Sequence, residues 1–377
     1  MSSHPVSQDQ TRRLRPSIRW LAGLTALAVC ITTVLVATAA LRGRSPSSAP
    51  GPQGAPGPQG AAAPQPDRSP LPRWASSEVA CQAGAAGTVE VRSAAELSRV
   101  LATARPGQVV RLADGVYRGA FTIARSGRPD SRIMLCGSRQ AVLGGVSTGK
   151  GYGLHLKGVS YWTLSGFTVT NAQKGIVLDR SSSNLLHGLA VHHIGQEGVH
   201  FRTASTDNVL EQSAVWETGL VNARTGEGVY VGSAISNWCE YTGCQPDRSD
   251  RNQIVGNRIG PSTRAESVDL KEGTTGGVVR GNTFIGTGMT AADSWVDVKG
   301  NRWTIAGNKG TTAPKDGFQV HVIRPGWGEG NVFTGNVADL GGGEHGFRVD
   351  KDAKGTVVAC DNVVSGASQG RSNIACS

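Results

Sequence analysis

The sequence is poor in aromatic residues and lacks the signatures of several functional classes. Phe, Trp and Tyr together make up 5% of the 377 residues. No stripe of basic residues alternates with aromatic ones, so we do not expect a nucleic-acid-binding protein. No cysteine stands at zinc-finger spacing from a histidine, which argues against a structural zinc site of that type. Glycine is abundant at 52 residues, which is typical of many tight turns between short strands.

Charge of one sign is concentrated at one end of the chain. Of the net charge of +10, residues 1–73 contribute +6 and residues 74–377 only +4. A mildly basic domain suits an anionic partner, although ordinary solubility charge explains the same excess equally well.

Long hydrophobic runs are also scarce, and the single long one divides the chain. Residues 20–41 carry no charge and are long enough to span a bilayer. The four arginines in residues 1–19 predict that this basic segment is cytoplasmic. The run is either a transmembrane signal anchor, which its length favours, or a signal peptide cleaved after Ala37-Thr38-Ala39. Residues 42–73, rich in Pro, Gly and Ala, predict a disordered linker, and residues 74–377 an extracellular domain, anchored to the cell surface or secreted.

Six of the seven cysteines follow the apolar run. An even number of cysteines beyond an export signal predicts disulfide bonds. The preferred pairs are Cys239–Cys244, because the two residues are close in sequence, Cys360–Cys376, which would tie down the C-terminus, and Cys81–Cys136.

A five-residue pattern with alternating apolar residues recurs through the domain. Its first apolar residues are separated by 22 residues or more, with insertions in some repeats, and are Leu154, Ile176, Val199, Val229, Val268, Val296, Phe318 and Phe347. A minimum period of this length predicts a coiled sheet with one turn per repeat. Because side chains alternate along a strand, the residues between the apolar ones should point outward and stack in columns. This stacking places Asp269 beside Asp297, and Lys271 beside Lys299.

Two further patterns support a solenoid. A second motif places an asparagine at the equivalent turn of four coils: Asn257, Asn282, Asn308 and Asn336. Asparagine tolerates a left-handed backbone conformation, and the side-chain amides of successive coils should form a hydrogen-bonded ladder. The capping box Ser93-Ala94-Ala95-Glu96 predicts a short helix that covers the open N-terminal end of the coil, and a covered end together with a tied C-terminus favours a monomer.

The run 265–274, with Glu266 and Lys271 at the ends of a Glu-x-x-x-x-Lys strand, and the opening run 104–117 resemble right-handed parallel β-helix polysaccharide lyases. The likeness is greatest to the family of chondroitinase B and alginate lyases and covers roughly residues 88–370. It implies an all-β, right-handed parallel β-helix, with Lys271 as the catalytic base and Glu266 as a calcium ligand. Where the family has an Arg near a His-Gly, this chain has Lys299-Gly300.

The expected reaction is β-elimination on an anionic, uronic-acid-containing polysaccharide. Calcium bound by Glu227, Glu266 and Asp269 would neutralise the uronate carboxylate, and Lys299 would act as carboxylate clamp or acid. We expect Lys299 and the cation to lower the pKa of Lys271. The candidate substrate-binding residues are Asp297, Asp316, His321, His345 and Arg348.

Two alternatives remain open at this point. A β-helix glycoside hydrolase would use Asp269 and Asp297 as its two carboxyl groups, at about the 5 Å of retaining enzymes. A non-catalytic, cell-surface carbohydrate-binding protein would use the charged columns only to hold a glycan. Salt bridges that cross between Asp269 and Lys299, and between Asp297 and Lys271, would be purely structural.

Overall fold

The computed structural model describes Cys81 and residues 87–377. The predicted cytoplasmic segment, apolar run and linker, and the predicted domain start at residue 74, lie outside the described residues. In the part of the chain that is described, no helix is both long and apolar enough to cross a bilayer.

The domain is a parallel β-helix in which three sheets run along its length. This architecture confirms the predicted all-β solenoid. The first sheet has 11 strands: β1 (Thr88–Val91), β2 (Val109–Leu112), β5 (Ile133–Cys136), β8 (Trp162–Ser165), β11 (Leu185–His187), β14 (Val209–Glu211), β17 (Gln253–Val255), β20 (Val278–Arg280), β23 (Thr304–Ala306), β26 (Val332–Thr334) and β29 (Val357–Val358).

The second sheet, called the site sheet below, contains the recurring five-residue pattern. Its nine strands are β4 (Phe121–Ile123), β7 (Tyr152–Lys157), β10 (Lys174–Asp179), β13 (Val199–Arg202), β16 (Val229–Val231), β19 (Val268–Leu270), β22 (Ser294–Val298), β25 (Asp316–Val320) and β28 (Phe347–Val349).

The third sheet completes each coil. Its ten strands are β3 (Gly115–Arg118), β6 (Ala141–Gly144), β9 (Thr168–Ala172), β12 (Ala190–Ile194), β15 (Ala214–Trp216), β18 (Arg258–Ile259), β21 (Thr283–Ile285), β24 (Lys309–Thr311), β27 (Val337–Asp339) and β30 (Val363–Ser365). The described helices are α1 (Ala94–Thr103), α2 (Trp238–Tyr241) and two 3₁₀ turns at Ala223–Thr225 and Ile235–Asn237.

The predicted register of the site sheet is confirmed. The leading apolar residues pair in sequence, for example Ile176 with Val199 and Val268 with Val296. All eight leading residues are buried in one continuous core. The period-2 pattern thus directs the alternate residues, which include Asp269 and Asp297, to the outer face.

Helix α1 covers the N-terminal end of this core, as the capping box predicts. The Ser93 hydroxyl accepts a hydrogen bond from the Glu96 amide at 3.3 Å, and the Glu96 carboxylate accepts one from the Arg92 amide at 2.8 Å. The apolar face of the helix is buried through Leu97 and Leu101. The helix therefore shields apolar side chains that the first coil would otherwise expose.

The predicted asparagine ladder is also confirmed. Asn282 Nδ2 donates to Asn308 Oδ1 at 3.0 Å, Asn308 donates to Asn336 at 2.9 Å, and the ladder continues to Asn362. The asparagines do not have the left-handed backbone conformation that their turns were expected to accommodate. The glycine before each asparagine has it instead, for example Gly307 with φ +61°. Glycine adopts positive φ without the steric penalty of a Cβ atom, which leaves each asparagine free to stack.

The three predicted disulfides are all present. Cys81 pairs with Cys136, Cys239 with Cys244, and Cys360 with Cys376. The first and third lie near the two ends of the described solenoid, and the second closes a small loop in an insertion.

Candidate active site

Three outward columns of side chains run down the site sheet. The first column contains Tyr152, Lys174, Glu197, Glu227, Glu266, Ser294, Asp316 and His345. The second column contains His155, Val177, His200, Tyr230, Asp269, Asp297, Gln319 and Arg348. The third column contains Lys157, Asp179, Arg202, Gly232, Lys271, Lys299, His321 and Asp350. The adjacent strands β19 and β22 therefore carry Glu266, Asp269 and Asp297 in the first two columns and Lys271 and Lys299 in the third.

An insertion after β16, residues 233–252, covers part of these columns. Its anchor is the fully buried Asp247, whose carboxylate accepts hydrogen bonds from the amides of Thr203 and Ala204 at 2.8 Å each and from the Ser233 hydroxyl at 2.6 Å. The insertion forms one wall of a cavity of about 360 Å³. Residues 278–293, which also lengthen one repeat, instead supply the ordinary strands β20 and β21 and do not line this cavity.

The cavity lies over strands β7 to β16. Its lining residues are Tyr152, Gln173, Lys174, Gln196, Glu197, His200, Arg202, Thr225, Glu227, Tyr230, Ser233, Asn237 and Tyr241. The basic residues in it have acidic partners: Lys174 contacts the Glu197 carboxylate, and Arg202 Nε lies 2.7 Å from Asp179 Oδ1. The Arg202 guanidinium also lies 4.5 Å from the ring centroid of Tyr241, so the insertion is held against the charged wall.

A carboxylate triad reaches this cavity through Glu227, which lines it. Glu227, Glu266 and Asp269 each offer an oxygen, and these oxygens lie within 4.8 Å of one another. Burial, followed by repulsion from Asp269, raises the pKa of Glu227 well above its ordinary value and that of Glu266 to about 7. Glu227 Oε2 is buried and has no hydrogen-bond partner. Such a cluster is unfavourable when all three groups are ionised without a cation.

The triad fits a calcium ion chemically. All three donors are carboxylate oxygens, the ligand type that Ca²⁺ prefers, and the unpartnered Glu227 oxygen is available for coordination. The predicted ligand set Glu227, Glu266 and Asp269 is therefore brought together in space.

Two lysines lie beside the triad. Lys271 Nζ is 2.6 Å from Asp269 Oδ2, while Lys299 Nζ is 2.9 Å from Asp269 Oδ1 and 2.5 Å from Asp297 Oδ2. Of the two predicted cross-strand salt bridges, the structure shows the one from Asp269 to Lys299, whereas Lys271 pairs with Asp269 on its own strand.

The pKa of Lys271 was expected to be lowered by Lys299 together with a bound cation, and the side chains around it do not produce that lowering by themselves. Burial alone would lower the pKa of Lys271, but the charge and hydrogen bond of Asp269 outweigh it and raise that pKa above its usual range. The pKa of Lys299 is raised for the same reason, with Asp269 and Asp297 both contributing. Asp269, held between two ammonium groups, has a lowered pKa and stays ionised.

The sequence patterns did not single out two candidate functional residues, Tyr230 and His200. Tyr230 precedes Asp269 in the second column, and its ring centroid lies 5.1 Å from Lys271 Nζ. Burial, followed by the charges of Asp269 and Glu227, raises its pKa well above 10, so the phenol stays protonated. His200 packs edge-on against Tyr230, and burial lowers its pKa well below 6.5. The column register could have revealed both residues, because they stand where the next strands carry Asp269 and Asp297.

The other predicted site residues fall into two groups. Asp316 and His345 lie together in the first column, two and three strands beyond Glu266. His321 and Arg348 instead line a separate cavity of about 400 Å³ near β25 and β28. The structure does not bring this second group next to Lys271.

Comparisons with known proteins agree with this architecture. A family model described as a right handed beta helix region matches residues 152–301. The crystal structure of an alginate lyase from Paenibacillus sp. str. FPU-7 is 38% identical and covers 76% of this chain and 98% of its own, with a TM-score of 0.71. The chain therefore belongs to the family of right-handed parallel β-helix, polysaccharide lyase-like proteins.

More distant solved structures share the fold. A pectate lyase, Pel9A, is 17% identical over 72% of each chain, with a TM-score of 0.53. A mutant of the PL6 family alginate lyase AlyGC is 15% identical and covers 76% of this chain and 40% of its own, with a TM-score of 0.52. A sequence comparison with curated proteins gave no significant match.

Proposed function

We propose that this protein is a polysaccharide lyase that cleaves a uronic-acid-containing polymer by β-elimination, with alginate as the first substrate to test. The observation that carries the proposal is the juxtaposition of the carboxylate triad with Lys271 and Tyr230 beside one cavity. The choice of alginate rests on the related alginate lyase. Three disulfides suit an oxidising compartment, which supports an extracellular enzyme, secreted or anchored.

In this mechanism Lys271 removes the proton next to the uronate carboxylate. Its Nζ takes the C5 proton, the C5 electron pair forms the C4–C5 double bond, and the C4–O glycosidic bond breaks. The proton on Tyr230 goes to the leaving oxygen, because the raised pKa of Tyr230 keeps the phenol protonated until that oxygen gains charge. Lys299 acts as a positioning residue, since it is buried between Asp269 and Asp297.

The triad would hold a calcium ion through Glu227, Glu266 and Asp269. When bound, Ca²⁺ would supply positive charge that stabilises the enolate and lowers the pKa of Lys271. The chain's own contribution is to keep the three oxygens together and to place Lys271 beside them.

The geometry gives less support to a hydrolase that uses Asp269 and Asp297 as its two carboxyl groups. A glycoside hydrolase needs one carboxyl group that holds a proton. Asp269 lies between Lys271 and Lys299, which lower its pKa, and Asp297 is paired with Lys299. Neither carboxyl group is arranged as a proton donor, so the pair Asp269/Asp297 fits ion pairing better than acid catalysis.

The test is a lyase assay with the full-length protein on alginate, polygalacturonate, dermatan and glucuronan. Ultraviolet absorbance of unsaturated ends and reducing sugar are followed in parallel, with calcium and with chelator. We expect both signals to rise with calcium, and Lys271→Ala to lower the rate by about 1,000-fold. The matched control is Lys150→Ala, which removes an exposed lysine from the turn before β7 and should leave the rate unchanged.

Other outcomes would overturn the proposal. Reducing ends without ultraviolet absorbance would identify a hydrolase. Silence on every polymer, with glycan binding retained, would identify a carbohydrate-binding protein on a lyase-like scaffold.

A further inference from the structure

A second cluster of metal-ligand side chains lies on the site sheet, away from the carboxylate triad. Asp316 begins β25, and Glu344 and His345 stand three and two residues before the start of β28. One ligand atom from each of the three residues lies within 4.8 Å of the others. Asp316 and His345 belong to the first column, so the cluster sits on the same outer face as the triad.

The imidazole of His345 has a ring nitrogen that lacks a partner. Its side chain is only 9% exposed, and Nδ1 is buried with no hydrogen bond to the protein. This nitrogen lies 3.5 Å from Asp316 Oδ1, without the alignment of a hydrogen bond. Leaving a polar atom buried and unpaired is unfavourable, because its hydration is lost without a replacement. Nδ1 therefore lies beside the cluster without a protein partner, and in the tautomer that carries the proton on Nε2 its lone pair can bind a cation.

Asp316 is held rigidly in the orientation that the cluster needs. Its side chain is 0% exposed. Oδ1 accepts a hydrogen bond from the His345 amide, and Oδ2 accepts one from Gln319 Nε2, each at 2.8 Å. Gln319 Oε1 is in turn 2.8 Å from His321 Nε2. Outer hydrogen bonds of this kind orient ligand carboxylates in metal sites.

Glu344 provides the entrance to the cluster. Its side chain is 35% exposed, and Lys315 Nζ lies 3.7 Å from Oε2. That contact is long enough for Glu344 to turn away from Lys315 toward an incoming cation. The cluster thus combines two buried ligands with one solvent-accessible carboxylate, which gives an ion a path in.

We propose that Asp316, Glu344 and His345 bind a first-row divalent transition-metal ion, represented by Zn²⁺. Imidazole nitrogen together with carboxylate oxygen suits zinc and its neighbours, whereas calcium prefers oxygen ligands alone. Zinc–ligand bonds of roughly 2.0–2.2 Å place tetrahedral ligand atoms roughly 3.3–3.6 Å apart, which the 3.5 Å between Nδ1 and Oδ1 matches. The absence of zinc-finger spacing in the sequence does not bear on this site, because no cysteine takes part.

The bound ion would join the last two strands of the site sheet. Asp316 belongs to β25, and His345 leads directly into β28, so a metal between them cross-links two successive coils. This role is separate from β-elimination, and the proposal does not depend on the lyase activity.

The test measures metal binding by the full-length protein after treatment with chelator. Calorimetric titration with Zn²⁺ is carried out in saturating Ca²⁺, which occupies the carboxylate triad, and Co²⁺ is used as a spectroscopic probe of a site containing nitrogen. We expect one Zn²⁺ per chain, a rise in the thermal unfolding midpoint, and Co²⁺ visible bands. His345→Ala should weaken binding by at least about 100-fold and abolish the bands.

Two further variants keep the test decisive. Glu344→Gln removes a ligand that is partly exposed, so it should weaken binding without loss of folding. His193→Ala is the matched control, because it removes an exposed histidine that also lies near a carboxylate, Glu217 at 3.8 Å, and should bind Zn²⁺ like the unaltered chain. The proposal fails if the unaltered protein binds no Zn²⁺ in calcium, or if Glu344→Gln and His345→Ala bind it as tightly as His193→Ala does.

Discussion

The asparagine ladder and the acidic part of the first column are both stacks of like residues, yet their energetics are opposite. In the ladder, an amide such as that of Asn308 donates to the next asparagine and accepts from the previous one. In the column, Glu227 and Glu266 present only acceptors to one another, and the pKa of each is raised. An amide carries both donor and acceptor, whereas a carboxylate needs a partner of another kind. Stacked amides therefore stabilise the repeated fold, whereas stacked acids leave carboxylates that need a partner from outside the stack.

The largest expected effect comes from breaking the ladder. Asn308→Ala should lower the free energy of unfolding by about 4 kcal/mol, because it leaves several buried groups unpaired, including the Val279 carbonyl oxygen. Chemical denaturation measures this change. The exposed Asn222→Ala is the control and should lose at most about 1 kcal/mol, since its side chain caps only a 3₁₀ turn. Equal losses in the two variants would show that stacking adds nothing.

An acid that has basic partners should stabilise the fold, as the asparagine ladder does and as Glu227 does not. Asp179 contacts Arg202 and His155, and these contacts hold its pKa well below 3.8 against burial, which raises it. Its stabilising contribution is therefore present above pH about 4 and is lost as the pH falls below that value. Asp179→Asn should cost about 3 kcal/mol at neutral pH, because the Arg202 charge loses its partner.

The same variant gives the pH test. Denaturation of both proteins across the acid range should show the difference in stability shrinking toward low pH. A difference that stays constant down to pH about 2 would contradict the lowered pKa of Asp179.

The proposed proton donor should affect catalysis without affecting stability. Tyr230→Phe should lower the rate of unsaturated-end formation by about 100-fold, because the ring packing on His200 remains while the proton is lost. The thermal unfolding midpoint is measured alongside and should be unchanged. Full activity in this variant would assign the donor role to another group.

The smallest expected effect is a gain in stability, in contrast to the loss expected for Asn308→Ala. Glu227→Gln should raise the free energy of unfolding by about 1 kcal/mol in chelator, because it replaces a carboxyl group whose ionised form is disfavoured by burial and by repulsion from Asp269. It should also abolish stabilisation by calcium. Glu211→Gln is the matched control, since Glu211 has a partner in His187 at 2.9 Å, and no gain is expected there. An equal gain in stability in both variants would mean that repulsion within the triad is not the cause.

Much of the fold could be predicted because its determinants are local. The alternation around Leu154, Val268 and Phe347 specified the inward face, and the minimum period specified the coil. The capping box located α1, and the ladder followed from the equivalent turns. The proximity of Glu227, Glu266 and Asp269 also followed, because parallel register brings equivalent positions together.

The electrostatic state of the site could not be predicted in the same way. The sequence places Lys271 and Lys299 in one column, but not the choice of Asp269 as their shared partner. The sequence also does not show that residues 233–252 pack over the outward columns of the site sheet, or that residues 278–293 form ordinary strands. Tyr230 and His200 stand in register with Asp269 and Asp297, but the sequence does not show that both are buried or that Tyr230 lies beside Lys271.

By itself, the sequence determined the solenoid, its core and the columns in which its charged residues stand, because strand alternation and repeat length act over short distances along the chain. Only the tertiary structure decided which outward residues are buried, which carboxylates lack a partner and which lysine each aspartate holds. Those outcomes depend on how the insertion packs back onto the sheet and on side-chain contacts between coils, and neither is encoded in a local pattern.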